Sequence, residues 1–191
     1  MKSLKVAKVN FMKMMPSLVA YYCTYIALII GSMYVFKNNL IDLTNLIDLT
    51  APTTIYLCFS GFNSFKLNIG FIRSNGISRK LFVKGLLISG MQIALMMSLI
   101  DTIINRIINI FVKQPTSYAM YLYCGRFTAK LDECQGWVQS NSFSTIVNTI
   151  IFQFSVYLLL YIVGMLYSVI AYRFDKYIKS IVLGLVWLLI M

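Results

Sequence analysis

Long apolar segments alternate with short polar ones along the chain, and each full apolar segment is long enough to form a membrane-spanning helix. About 20 consecutive apolar residues are needed to cross the hydrocarbon core of a bilayer. The pattern predicts four full spans and a partial fifth that is still apolar at the last residue: 17–36, 52–72, 81–100, 146–172 and 180–191. We therefore expect an all-α polytopic membrane helix bundle that forms a single domain, residues 1–191, and ends inside its fifth span.

The N-terminal segment, residues 1–15, mixes lysines with apolar positions. This mixture is typical of an amphipathic helix that lies on lipid headgroups; the alternative is a solvated basic tail. Pro16 is then expected to begin the first span, because proline is tolerated in the first turn of a helix.

The third span is predicted to continue as an amphipathic helix beyond residue 100. Isoleucines recur there with helical spacing, at positions such as Ile100, Ile103, Ile104 and Ile107. This extension is expected to lie near the outer interface, with Asp101 beside water. The alternative is an ion site inside the membrane, where an isolated carboxylate is costly.

The predicted outer segment, residues 101–145, contains Cys124 and Cys134. They form either a disulfide or two free thiols, because pairing requires Cα atoms within about 7 Å of each other. The shorter outer loop contains a perfect six-residue tandem repeat, residues 39–50, which is interpreted as a duplicated loop.

The second predicted span carries unusual polar residues in its inner half, among which Ser60, Asn63, Ser64 and Asn68 are expected to share one helix face. Lys66 lies in the same stretch. Polar residues within a span line a water-filled path or a bundle interior. In the first case Ser60, Asn63, Ser64 and Lys66 form a translocation path; in the second the polar groups join neighbouring helices and Lys66 extends to the headgroups.

Composition supports a membrane protein and excludes several kinds of site. Hydrophobic residues make up 59% of the chain and charged residues only 12%, whereas about a quarter of a soluble domain is charged. The chain contains no histidine, and its four cysteines show no Cys-x-x-Cys spacing. We predict no metal site, no cofactor and no catalytic residues.

The net charge of +11 is explained by orientation in a membrane rather than by nucleic acid. Cytoplasmic segments are enriched in lysine and arginine. The N-terminal segment, the loop at residues 73–84 and the segment after the fourth span are basic, while the charges of the opposite segments balance to zero. The N-terminus and the basic loop (residues 73–84) are therefore expected to be cytoplasmic.

The basic loop contains a turn signal and two candidate caps. Asn75-Gly76 favours a tight turn, and Ser74 or Ser78 is expected to cap a short helix between the second and third spans. A rigid helix there would transmit force to both spans. The alternative is an ordinary turn whose basic residues only set the membrane orientation.

The order Asn75-Gly76-Ile77-Ser78-Arg79-Lys80, followed by an apolar helix, resembles the loop between the second and third spans of ABC-2 type transporter permeases. The stretches Ile100–Ile104 and Tyr172–Lys176 are similar to corresponding stretches in compact permeases of this type from Gram-positive bacteria.

This resemblance implies one permease subunit of a transporter that is powered by a separate ATPase subunit and completed by a second permease copy or paralogue. It implies that the ATPase docks at the basic loop, through Arg73, Asn75, Gly76, Ser78, Arg79 and Lys80. The chain itself has no phosphate-binding Gly-x-x-x-x-Gly-Lys-Ser/Thr motif. The implied cargo is a peptide or other amphiphile.

Other functions stay open. A membrane immunity or sensor protein would bind a peptide at its outer segment and need no ATPase. A secondary carrier would use an ion-coupled charge at Lys66 or Asp101. An intramembrane enzyme finds no support, because the chain has neither a Gly-x-Ser-x-Gly nor a His-Glu-x-x-His motif.

Overall fold

The computed structural model describes residues 2–37, 50–111, 116–124 and 142–173, and most of these residues are helical, with no strand among them. Predictions for the tandem repeat, for Cys134, for residues 174–179 and for the partial fifth span lie outside the described residues. The helices are α1 (Lys2–Lys37), α2 (Ala51–Asn75), α3 (Arg79–Phe111), α4 (Ser117–Cys124) and α5 (Phe143–Arg173).

Three of these helices are long and apolar enough to cross a membrane: Ser3–Gly31, Arg79–Ile110 and Phe143–Tyr172. The 25-residue helix α2 has sufficient length but is not among them, since the polar residues of its inner half lower its hydropathy. The described part of the chain is therefore consistent with a helical membrane protein. The predicted number of spans and the cytoplasmic N-terminus stay predictions.

The four long helices alternate in direction. Helices α1 and α3 run parallel to each other, because Val6 contacts Gly85 near their starts and Tyr22 binds Asp101 further along. Helix α2 runs the opposite way, so that α2 and α3 meet in a tight turn. Helix α5 is also antiparallel to α3. Because of this alternation, the starts of α1 and α3 and the ends of α2 and α5 share one end of the bundle, called the basic end below.

Proline 16 does not begin a helix. Helix α1 starts at Lys2 and continues through Pro16 for 36 residues, or about 54 Å at 1.5 Å per residue. A proline inside a helix removes one backbone hydrogen bond, a loss that membrane helices tolerate where neighbouring groups compensate. The N-terminal segment is also not a separate surface helix, because Val6, Ala7 and Asn10 are buried in the bundle.

The connection between α2 and α3 is a turn without a helix of its own. Gly76 has φ of +58°, a left-handed conformation that suits glycine after the end of a helix. Ser78 caps α3 itself: its carbonyl accepts from the amide of Phe82 at 3.1 Å, and its hydroxyl from the amide of Leu81 at 3.5 Å. The predicted Asn-Gly turn is thus confirmed, and the predicted short helix is replaced by a three-residue link.

The C-terminal third of α3 shows its apolar face to the outside and its polar face to the interior. The predicted continuation of the helix is confirmed. However, Ile110 is 78% exposed whereas Asp101 is 4% exposed, and Asn105 is also buried. The expectation of Asp101 beside water at the interface is therefore wrong. Burial of polar groups beneath exposed isoleucines is favourable where the surroundings are lipid.

Two glycines allow α2 and α5 to approach closely along their parallel axes. A Cβ atom at Gly61 would collide with the backbone carbonyl of Tyr161, and one at Gly164 with the backbone carbonyl of Cys58. Small residues bring membrane helices into backbone contact in this way. Gly61 and Gly164 are therefore the positions at which α2 and α5 come closest to backbone contact.

This packing can be tested with a pair of matched glycine substitutions. Gly164→Ala should lower the free energy of unfolding by about 1–3 kcal/mol, the usual cost of overpacking, because the new methyl group meets backbone that cannot move aside. Gly70→Ala is the control: a Cβ there meets nothing within 4 Å, and alanine is the better helix former. Denaturant titration in detergent micelles, followed by circular dichroism, measures both. Equal stabilities of the two variants would contradict the close packing.

Candidate functional site

The interior of the bundle contains two clusters of polar side chains, and each of the four long helices contributes to both. The aspartate cluster consists of Tyr22, Thr53, Asp101 and Tyr157. The asparagine cluster consists of Asn10, Ser64, Asn68, Ser89 and Tyr161. Every residue in both clusters is buried. Polar side chains within a membrane bundle are the expected place to look for function.

The aspartate cluster is centred on the carboxyl group of Asp101. The hydroxyl of Tyr22 donates to Oδ1 at 2.9 Å, and the hydroxyl of Tyr157 donates to Oδ2 at 2.6 Å. The hydroxyl of Thr53, which is hydrogen-bonded to Tyr21, lies close to the same carboxyl. Each carboxyl oxygen is thus satisfied, as a buried polar group requires.

A row of tyrosines extends the aspartate cluster along α1 and α2. The hydroxyls of Tyr21 and Thr53 are hydrogen-bonded at 2.8 Å. The ring of Tyr21 stacks on that of Tyr56 with centroids 4.4 Å apart, and it also meets Tyr22 edge to face. Such ring pairs add stabilisation beyond the area they bury, so α1 and α2 are held together beside Asp101.

Asn10 occupies the centre of the asparagine cluster. Its Nδ2 lies 2.6 Å from the hydroxyl of Ser89 and 3.3 Å from that of Tyr161, while its Oδ1 accepts from Asn68 Nδ2 at 2.6 Å. The hydroxyls of Ser64 and Tyr161 are 2.7 Å apart. One amide side chain therefore contacts polar groups on the other three long helices.

The asparagine cluster also has a charged neighbour, Lys13. Lys13 Nζ donates to Asn68 Oδ1 at 3.2 Å, and the lysine itself is exposed. On the other side of the cluster, Met14 Sδ accepts from the Ser60 hydroxyl at 2.9 Å. The cluster thus joins a charged surface group to the apolar core.

An apolar layer separates the two clusters. Asn10 and Tyr22 lie twelve residues apart on α1, or about 18 Å along the helix. The space between is filled by buried side chains of one core cluster, among them Leu18, Leu57 and Met97. In this conformation the two polar clusters are therefore separated by packed hydrocarbon.

A third polar contact, between α3 and α5, leaves one amide atom without a partner. Gln153 is buried and its Nε2 has no hydrogen-bond partner among the described residues. The Thr102 hydroxyl lies 2.7 Å from the Ser98 carbonyl and 3.0 Å from Gln153 Oε1, but has only one hydrogen to donate. If the Gln153 amide is rotated by 180°, Nε2 can donate to the Thr102 hydroxyl, but Oε1 then has no donor. In either orientation, one polar atom of this amide lacks a hydrogen-bond partner among the described residues.

The residues proposed for a translocation path do not share one face in the structure. Ser60 and Ser64 are buried and bond to neighbouring groups, whereas Asn63 and Lys66 are exposed. Ser64 joins helices through Tyr161, as the alternative interpretation expected. A path along these residues stays a prediction.

The residues proposed for coupling lie at the basic end. Asn75, Gly76, Ser78, Arg79 and Lys80 are exposed in and beside the turn. The backbone of Arg73 is in α2, but its side chain lies outside the described residues, as do the side chain of Cys124 and the whole of Cys134. Their roles in docking and in a disulfide stay predictions.

Sequence reasoning missed most members of the two clusters. In α1 the buried positions repeat every three or four residues, through Ala7, Asn10, Met14, Leu18 and Tyr22. This repeat marks the interior face, and Asn10 and Tyr22 are the polar residues on it. The prediction of a surface helix for residues 1–15 assigned Asn10 to the lipid headgroups, so its place on the interior face was not recognised.

No protein-family model, curated protein or solved structure matches the chain. In addition, the described residues contain no group of histidine, cysteine and acidic side chains able to hold a metal ion. The functional argument therefore depends on the sequence and on this geometry.

The contribution of the aspartate cluster can be measured by removing one hydroxyl. Tyr157→Phe should lower the free energy of unfolding by about 1 kcal/mol, within the range measured for hydrogen bonds between membrane helices, because Asp101 loses a donor. Tyr167→Phe is the control on the same helix, since its ring packs against Phe62 and its hydroxyl is absent from the clusters. Denaturation in micelles measures both, and a loss of stability no greater in Tyr157→Phe than in the control would refute the assignment.

Proposed function

We propose that the chain is the permease subunit of an ATP-driven transporter of the ABC-2 type. The observation that carries the proposal is the geometry of the basic loop. Its Asn-Gly pair forms a tight turn, Ser78 caps α3, and the basic pair that follows is exposed. These are the residues on which the resemblance to ABC-2 type permeases rests. Arg79 and Lys80 extend from the bundle into solvent rather than into its interior. A soluble ATPase at the basic end would meet these side chains first.

The packing of the helices supports a coupling role for the loop. Helix α2 packs most extensively on α5, and α1 packs most extensively on α3, whereas α2 and α3 contact each other little. The two pairs meet mainly where α3 packs on α5, which is almost as extensive as its packing on α1. The three-residue link between α2 and α3 therefore connects two helix pairs. A partner that pushes on the link would move one pair against the other, as alternating access requires.

The two polar clusters would resist such a motion, because both join all four helices. Rearrangement of the pairs exchanges hydrogen bonds within each cluster and opens the apolar layer between them. Hydroxyl and amide groups suit this role, since they can exchange one partner for another. The proposed cargo, a peptide or other amphiphile, is supported only by the resemblance.

Co-purification tests the proposal directly. When the chain is purified from its native membrane in mild detergent, an ATPase subunit with a phosphate-binding loop should accompany it. The double variant Arg79→Gln/Lys80→Gln should reduce the recovered ATPase at least about tenfold, because charge-assisted contacts at the loop are lost. The double variant Lys5→Gln/Lys66→Gln removes the same charge from exposed residues outside the loop and should retain the ATPase. Absence of an ATPase from the unaltered protein would overturn the permease function.

A second candidate, an ion-coupled carrier, is favoured by the burial of Asp101 between four helices. A carboxyl group inside a bundle is a frequent element of proton and ion pathways. A carrier of this kind functions without an ATPase, so the same purification separates the two functions. The immunity or sensor alternative depends on the outer segment, which lies largely outside the described residues, and it stays a prediction.

A further inference from the structure

An apolar groove runs along the outer surface of α1 and α3. Its walls include Leu4 and Phe11 of α1 and Met91 and Leu95 of α3, and Phe154 of α5 completes the lining. Its volume is about 590 Å³, within the range of sites that hold small organic ligands. Leu4, Met91 and Leu95 are about half exposed, so the groove is accessible from the lipid side.

The groove extends from the basic end toward the middle of the bundle. Leu4 and Lys8 lie near the start of α1, whereas Leu95 lies sixteen residues into α3, about 24 Å from its first residue. Because α1 and α3 run parallel, the long axis of the groove follows the helix axes. This is the direction in which a lipid chain lies in a bilayer.

Two polar residues line the groove, Lys8 on α1 and Gln92 on α3, and only Lys8 is charged. Lys8 lines the groove and is exposed, and Lys5 is exposed one turn away. Asp101 is the one acidic residue in the described part of the chain, and it is buried on the far side of the apolar layer. No described carboxylate therefore neutralises these lysines, and an anionic group would complement them.

We propose that the groove binds one anionic phospholipid from the leaflet at the basic end. The phosphate lies at the ammonium group of Lys8, and one acyl chain lies along Met91, Leu95 and Phe154. The amphiphilic lining decides the occupant: Lys8 is cationic, and the remainder of the lining is apolar apart from the uncharged Gln92. A second copy of the chain packed symmetrically at this face would bring its own lysines close to Lys8, which is unfavourable.

Native mass spectrometry of the detergent-purified chain tests the headgroup contact. With phosphatidylglycerol and phosphatidylcholine of identical acyl chains, the protein should retain phosphatidylglycerol preferentially. Lys8→Gln should reduce that preference about fivefold, the effect expected of one lysine beside an anionic lipid. Lys66→Gln, which removes an exposed lysine outside the groove, should preserve it. Equal retention of both lipids by the unaltered protein, or equal loss in both variants, would overturn the proposal.

A second pair of variants tests the acyl-chain contact without changing charge. Leu95→Trp fills the groove and should reduce binding of phosphatidylglycerol, whereas Leu99→Trp alters an exposed site on the same helix outside the groove and should not. Circular dichroism confirms that each variant is folded. If the unaltered protein without lipid is a dimer, and if only Leu95→Trp converts it to a monomer, the occupant of the groove is a second copy. That result would contradict lipid binding. These readouts measure binding alone, so they do not depend on the proposed transport function.

Discussion

The hydrogen bonds of Tyr22 and Tyr157 to the two oxygens of Asp101 set the strongest constraint on this structure. A carboxyl group is kept away from water at high cost unless each oxygen has a partner. Here the partners come from α1 and α5, while the acid belongs to α3. Correct pairing therefore requires three helices at one level, and Thr53 adds the fourth.

The asparagine cluster repeats this principle nearer the basic end, about 18 Å away along α1. Asn10 contacts polar groups on three other helices, so α1 cannot rotate or slide without leaving buried donors unpaired. Between the clusters, apolar side chains pack closely, but their contacts do little to fix the rotation or the axial position of the helices. The polar groups therefore specify how the helices are registered, and the apolar layer and the glycine contacts of α2 with α5 supply close packing.

The distribution of residues around α3 follows from the same constraint. If polar groups must find partners, they turn toward other helices, and apolar side chains such as Ile103 and Ile107 remain outside. This inverted arrangement accounts for a chain that is 59% hydrophobic and still has a polar interior. The groove beside Lys8 shows the same arrangement, because most of its lining is apolar and faces outward.

Much of the fold could be predicted from hydropathy and turn chemistry. The helical class, the continuation of α3 and the turn at Gly76 all follow from local patterns. The position of Asp101 could not, because periodicity shows that a helix has two faces but not which face is inside. The cluster residues come from four segments far apart in sequence, and only their packing brings Asn10 to Ser89 or Tyr157 to Asp101. Proline 16 was misjudged because a local preference was overridden by packing along the whole of α1.

The central claim is that the C-terminal third of α3 presents its polar face to the bundle and Ile103, Ile107 and Ile110 to lipid. Spin labels placed singly at Ile107 and at Lys80, in a variant without native cysteines and reconstituted in bilayers, measure this directly by electron paramagnetic resonance. A label at Ile107 should collide often with oxygen, which concentrates in lipid, and rarely with a water-soluble nickel chelate, whereas a label at Lys80 should show the opposite preference. If the label at Ile107 collides more readily with the nickel chelate, this face of α3 is in water and the account is contradicted.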